Sequence, residues 1–332
     1  MKLAWLDSNR SDRWTAVLLM IVVVGLPLVV SDRFYLNLMF LIFLYAGVAS
    51  AWNLLGGYAG QFSLGHTAFF GIGAYTSTLL YNMTGVSPWV GMLVGVLLSM
   101  ILAFLISYPA FRLRGVFFAM VTIAMGETVR ILLLWARGKF NIPYGLSIDF
   151  QPGLANMIFA DQRSYAWLAG GFMLMVTAAC FLISRSRTGY YLQALRDNED
   201  AAQASGINLR HYKLIAFLLS AGFTSIGGTL MAQYVLYIEP STVFNIAISV
   251  DVALITILGG IGTLLGPLFG AVITLLLQEF LKDWLGQFGA GAHLVVYGSL
   301  LVIIVMLLPQ GTMGILKKIL QPKRYEDHHA GG

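Results

Sequence analysis

Residues 184–213 read SRSRTGYYLQALRDNEDAAQASGINLRHYK, the longest polar run in a chain that is otherwise mostly hydrocarbon. The run stands between two apolar stretches. It carries Arg185, Arg187, Arg196, Arg210 and Lys213, with Asp197, Glu199 and Asp200 among them. Its middle predicts a short helix: Ala194, Leu195, Ala201, Ala202 and Ala204 favour one, and Gly206 is a natural stop after it. A polar helix held between two membrane spans is placed to touch a partner outside the bilayer. Residues 185–213 are therefore read as a cytoplasmic coupling loop. Position and charge alone fit a plain solvated connector equally well.

Composition sets the solvent around this loop. The 332 residues are 58% hydrophobic and only 11% charged, with a mean hydropathy of +0.79. Soluble domains carry roughly 25% charged residues. That shortfall, with apolar runs long enough to cross a bilayer, predicts an all-α polytopic membrane protein. The net charge of +5 does not point to nucleic acid, because the bases are scattered among loops and form no stripe with interleaved aromatics. Cys180 is the single cysteine, so neither an intrachain disulfide nor a Cys-based metal site is expected.

Hydropathy predicts about ten membrane-crossing or partly spanning helices, each needing roughly 17–25 residues for a full span. They run near 15–31, 34–54, 62–82, 88–108, 115–136, 165–184, 214–238, 248–263, 264–282 and 293–309. The first follows a basic start and has no small-x-small cleavage site after it, so it is expected to be retained. The eighth and ninth are short and look like a Gly-broken hairpin. Placing both termini in the cytoplasm puts 14 Lys and Arg residues inside and four outside, with Arg130 and Lys282 in or beside spans. That bias agrees with the positive-inside rule and favours the hairpin, since one crossing over 248–282 would put the Lys-rich tail outside. Residues 137–164 become an outer loop with a possible short helix near Leu154–Phe159, and the chain reads as one transmembrane domain over 1–332.

Two stretches resemble each other. Asn53-Leu54-Leu55-Gly56-Gly57 and Thr256-Ile257-Leu258-Gly259-Gly260-Ile261-Gly262 share L-G-G after the second and eighth spans. Glycine-interrupted spans at matching places in two halves point to a transport path, though glycine also permits close helix packing. Gln61, Ser63 and His66, with Asn53 nearby, form the most polar stretch within any span and are candidates for the path, or for helix-to-helix hydrogen bonds. Glu127 and Arg130 lie three residues apart in the fifth span, on one helix face, and read as an intramembrane ion pair. The sequence has no P-loop, no HExxH and no Cys/His cluster, and Ser63 with His66 lacks a nucleophile turn. A transporter subunit without enzymatic activity, cofactor or metal is the expectation.

Residues 53–80, 111–130, 186–221 and 254–273, with the closing PQG segment in Val305–Gly314, resemble in order the M-type (LivM-like) permease subunit of branched-chain amino-acid ABC importers. The resemblance implies a heteromer in a bacterial inner membrane: a second, H-type permease, two cytoplasmic ATPase subunits and a periplasmic substrate-binding protein. It also implies a coupling helix of E-A-A-x-x-x-G type, matched here by Glu199-Asp200-Ala201-Ala202 and Gly206, with Arg196 beside it and Asp200 inserted. The implied cargo is leucine, isoleucine and valine. Urea, short amides and aromatic acids are alternatives, as is a channel or secondary transporter working without an ATPase. On the path reading, Asn53, Gln61, Ser63, His66, Gly259, Gly260 and Gly262 line the route.

Overall fold

The computed structural model describes residues 11–285, 291–307 and 311–312. The bases Lys2, Arg10, Lys317, Lys318, Lys323 and Arg324 and the residues Pro309 and Gln310 of the PQG segment lie outside the described residues. Helices occupy all ten expected places: α1 (Ser11–Val29), α2 (Arg33–Asn53), α3 (His66–Thr84), α4 (Pro88–Ala110), α5 (Val116–Phe140), α6 (Gln162–Arg185), α9 (Leu209–Val235), α11 (Ile246–Gly260), α12 (Gly266–Leu285) and α13 (Ala292–Leu307). Among the described residues, six helical stretches are long and apolar enough to cross a membrane: 33–58, 88–110, 116–140, 162–185, 209–235 and 240–260.

Helices α2, α3 and α9 form the centre. Helices α4 and α5 flank α3 and α9, α1 and α6 cover α2, and α11–α13 close the third side against α2. Trp52, Phe69, Phe118 and Phe217 are fully buried there. Small residues bring the backbones together. A Cβ on Gly73 would overlap the Ser225 carbonyl, and one on Gly228 would overlap the Phe70 carbonyl, so α3 and α9 cross in direct backbone contact. The GxxxG pair Gly266 and Gly270 seats α12 on α11 in the same way. Outward, α4 shows Leu93, Leu97, Ile101, Phe104 and Leu105 to the surroundings, as a lipid-facing helix does.

The two ends differ. At one end the connector 141–161 is pinned to the helices. Strand β1 (Leu146–Ser147) pairs antiparallel with β2 (Tyr237–Ile238). Asn82 Nδ2 donates to the Ser147 carbonyl at 2.9 Å and Trp89 Nε1 to the Leu154 carbonyl at 2.8 Å. The short helix expected over Leu154–Phe159 is only a 3-10 turn at Leu154–Asn156; Gly153 and Ile158 pair as a bridge instead and turn the chain back.

At the other end lie the polar run and both L-G-G segments. The single helix expected in the run is two: α7 (Arg187–Asp197) and α8 (Glu199–Ala204). Asn198 takes an extended conformation between them, and its side chain accepts from the Ala201 N–H at 3.0 Å. Asparagine favours this N-cap role over the helix interior, which is why the alanine-rich run breaks there. Gly206 ends α8 at φ +84°, a left-handed value that suits glycine. A four-residue helix, α10 (Pro240–Val243), precedes α11.

Candidate functional site

The L-G-G segments meet. Helix α2 passes into a π-turn over Leu54–Tyr58, a form frequent at functional sites, and residues 59–65 then run without helix. Helix α11 ends at Gly260 and α12 starts at Gly266. Asn53 joins the two breaks. Its Oδ1 accepts from the Gly262 N–H at 2.8 Å, and its Nδ2 donates to the Thr263 carbonyl at 2.9 Å. One amide thus satisfies a donor and an acceptor that the helix ends leave free.

Arg196, in the last turn of α7, closes the same junction. Its Nη1 donates to the Gly57 carbonyl at 3.0 Å. A Cβ on Gly262 would collide with that nitrogen, and Gly60 lies along the Arg196 stem. Gly262 has φ +74°, so both its conformation and the space beside it require glycine. Gly259 packs its backbone on Gly266, while Gly260 supplies the carbonyl that Thr263 Oγ1 bonds at 2.7 Å.

Helix α8 is tied in by Glu199. Its Oε1 accepts from Gln61 Nε2 at 2.8 Å and from Lys213 Nζ at 2.6 Å. Its Oε2 lies 3.5 Å from Arg114 Nε, and Arg114 also bonds Asp200 at 2.9 Å. The Lys213 side chain is only 3% exposed and Glu199 18%, whereas Arg114 is 58% exposed. Lys213–Glu199 is therefore a buried ion pair, and Arg114 adds a screened surface contact. The Asp200 hydrogen bond holds the Arg114 guanidinium above its already high ordinary pKa. Ala202 packs inward and Ala201 faces out. The expected coupling residues Arg196 and Glu199 and the expected path residues Asn53, Gln61 and Gly262 thus form one connected junction.

Ser63 and His66 stand apart from it, sealed in the interior. The Ser63 carbonyl accepts from Trp52 Nε1 at 2.7 Å. Ser220 Oγ donates to the Ala51 carbonyl at 2.7 Å and meets His66 Nε2 at 2.7 Å. The serine's single proton is taken by Ala51, so the imidazole is assigned as donor through Nε2–H. Glu127 and Arg130 do pair: Arg130 Nε donates to Glu127 Oε2 at 2.9 Å and Nη2 bonds Oε1. Both side chains stay partly open, at 50% and 31% exposure.

Sequence reading missed Lys213 and Arg114 as partners of Glu199 and counted them only as topology charges. The one available signal was the acidic cluster Asp197, Glu199 and Asp200 set among the bases of this end. Among the described residues no group of three or more His, Cys, Asp or Glu is arranged to hold a metal ion.

Residues 34–308 match the family model described as branched-chain amino acid transport system / permease component. The chain is 29% identical to the high-affinity branched-chain amino acid transport system permease protein LivM of Escherichia coli (strain K12), over 95% of this chain and 78% of that protein. It is also 29% identical to LivM of Salmonella typhimurium, over 92% and 76%. A nucleoside ABC transporter permease protein of Lactococcus lactis is 27% identical over 52% of this chain and 59% of its own length. No solved structure matches. With its apolar helices, its paired helix breaks and a family match spanning most of its length, this chain belongs to the family of permease components of branched-chain amino acid transport systems.

Proposed function

We propose that this chain is one permease subunit of an ABC importer that carries leucine, isoleucine and valine across a bacterial inner membrane. ATP hydrolysis takes place on two separate ATPase subunits docked at α7 and α8. A second, H-type permease completes the path, and a periplasmic binding protein delivers cargo at the end that holds β1 and β2. The observation that carries this reading is the junction itself. Arg196 of α7 bonds the π-turn at Gly57, Glu199 of α8 bonds Gln61 just after it, and Asn53 at the end of α2 bonds the 261–265 turn.

The mechanism follows from that wiring. ATPase closure shifts α7 and α8. Arg196 pulls on the Gly57 carbonyl and Glu199 on Gln61, so the break after α2 moves with the coupling helices. Asn53 passes the shift to the α11–α12 turn, and the glycine contacts let these segments re-pack between two discrete arrangements. In this reading Asn53, Gln61, Gly259, Gly260 and Gly262 switch the path by re-packing. Ser63 and His66 reach cargo only after it.

Ala201→Arg tests the docking. Ala201 points outward and takes no part in the junction through its side chain, so the variant should insert and fold normally. Its leucine uptake and leucine-stimulated ATP hydrolysis should fall to background in proteoliposomes holding the full transporter. Unchanged uptake would defeat the docking claim.

A further inference from the structure

A groove of about 350 Å³, open on one side, lies between α5 and the break that separates α10 from α11. Glu127, Arg130 and Ser241 supply its polar wall, and Ile123, Phe244 and Ile246 its apolar one. The volume sits at the low end of small-molecule sites, roughly 300–1,000 Å³, and suits a small solute. Irregular backbone inside a membrane protein persists only where it is covered by protein or lines a cavity. The Phe244–Asn245 break does both: Thr67 Oγ1 donates to the Asn245 carbonyl at 2.9 Å on one side, and the groove opens on the other.

The charges here are not accounted for by packing. Charged groups within a membrane-spanning helix are costly and mark function by default. Among the described residues, Glu127 and Arg130 have no hydrogen-bond partner but each other. A guanidinium has five N–H donors and a carboxylate about four acceptor sites, so each keeps capacity unused. Both side chains line the groove and remain partly exposed.

We propose that this groove is a transient binding site for the zwitterion of a small aliphatic α-amino acid. Arg130 takes the carboxylate, in the two-pronged geometry that guanidinium favours. Glu127 takes the ammonium. Ile123, Phe244 and Ile246 receive the aliphatic side chain. The opposite charges, one helical turn apart on the same face, match the head group of an amino acid and leave uncharged solutes without a partner for either. This inference rests on the importer reading above and adds to it the place where cargo pauses.

The test is equilibrium binding of radiolabelled leucine to the assembled transporter in nanodiscs, with both permeases and the ATPases present and the binding protein omitted. Glu127→Gln and Arg130→Gln should each weaken binding about ten- to a hundredfold, the range for losing one charge-assisted hydrogen bond. Ile123→Trp fills the groove without touching either charge and should also abolish binding, so an assembly defect in one variant leaves the others decisive. Leucinamide, which lacks the carboxylate, and isocaproate, which lacks the ammonium, should compete about tenfold or more less well than leucine. In Arg130→Gln, leucine should lose its advantage over leucinamide while keeping it over isocaproate. Leucine binding that is equally tight in wild type and all three variants overturns the groove proposal and leaves the importer reading standing. If the wild-type complex binds no leucine at all, the cargo reading itself is wrong, and the groove proposal falls with it.

Discussion

Removing the charge of Glu199 should do more damage than its place in a short surface helix suggests. Glu199→Gln keeps the shape and can still accept from Gln61, but it leaves the Lys213 ammonium without its counter-charge. Lys213 is 3% exposed, so it cannot turn to solvent. Breaking a buried pair by removing one partner costs about 3–5 kcal/mol. The Arg114 contact, at 58% exposure, adds nothing comparable. Lys213→Met removes the buried charge instead. Glu199 then retains Gln61 and Arg114, and the loss should be about 1 kcal/mol. The double variant should sit close to Lys213→Met, which gives a coupling energy of about 3–5 kcal/mol between the two positions, the whole cost of Glu199→Gln. The chain supplies its own reporter. Cys180 is the single cysteine, is 2% exposed on α6, and lies 3.4 Å from the Ser50 carbonyl of α2. A thiol-reactive fluorophore therefore reads opening of the α2–α6 interface along a denaturant titration. Single losses below about 0.5 kcal/mol that simply add would refute the reasoning. The charge pair would then not anchor α8.

Three other substitutions probe the junction and the helix packing. Asn53→Ala leaves the Gly262 N–H and the Thr263 carbonyl without their side-chain partner. It should cost about 1–3 kcal/mol in the same thiol titration, and uptake should fall with it. Gly262→Ala forces a Cβ into a left-handed conformation, at about 1–2 kcal/mol, and against the Arg196 guanidinium. Its transport defect should be partly relieved by adding Arg196→Ala, and no relief would argue against the Arg196 contact. Gly228→Val should separate α3 from α9, because its Cβ would meet the Phe70 backbone, which cannot move aside. Thiol protection should drop by more than for Gly171→Ala, a site with open space around it.

Much of the helical layout is legible in the sequence, and for a local reason. A bilayer selects apolar runs by length, so the runs near 34–54, 88–108 and 165–184 announce themselves within a few residues of α2, α4 and α6. The Glu127–Arg130 pair was legible because its two residues are three apart on one helix. The break at Asn198 was missed because five helix-favouring residues outweighed one capping asparagine. The break at Phe244–Asn245 falls in the gap between the spans expected at 214–238 and 248–263; what the sequence did not announce is the four-residue helix α10 before it, too short to carry a periodic pattern. One reason the count of full crossings differs is that α3 carries too many polar groups to qualify by hydropathy, yet it lies buried against α9 and α4, and its His66 meets Ser220 while its Thr67 bonds the Asn245 carbonyl.

What the sequence determined alone was the solvent, the helices and the residue types able to bend them, since bilayer thickness, helix propensity and glycine's missing Cβ act within a few residues. It could not say which polar groups meet. Asn53 and Gly262 are 209 residues apart, and Gln61 and Glu199 are 138 apart. Nothing in either local stretch encodes its partner. The close crossings of α2, α9, α11 and α12 bring the L-G-G segments face to face and carry Arg196 between them. Only that packing turns two candidate path segments and one polar loop into a single junction.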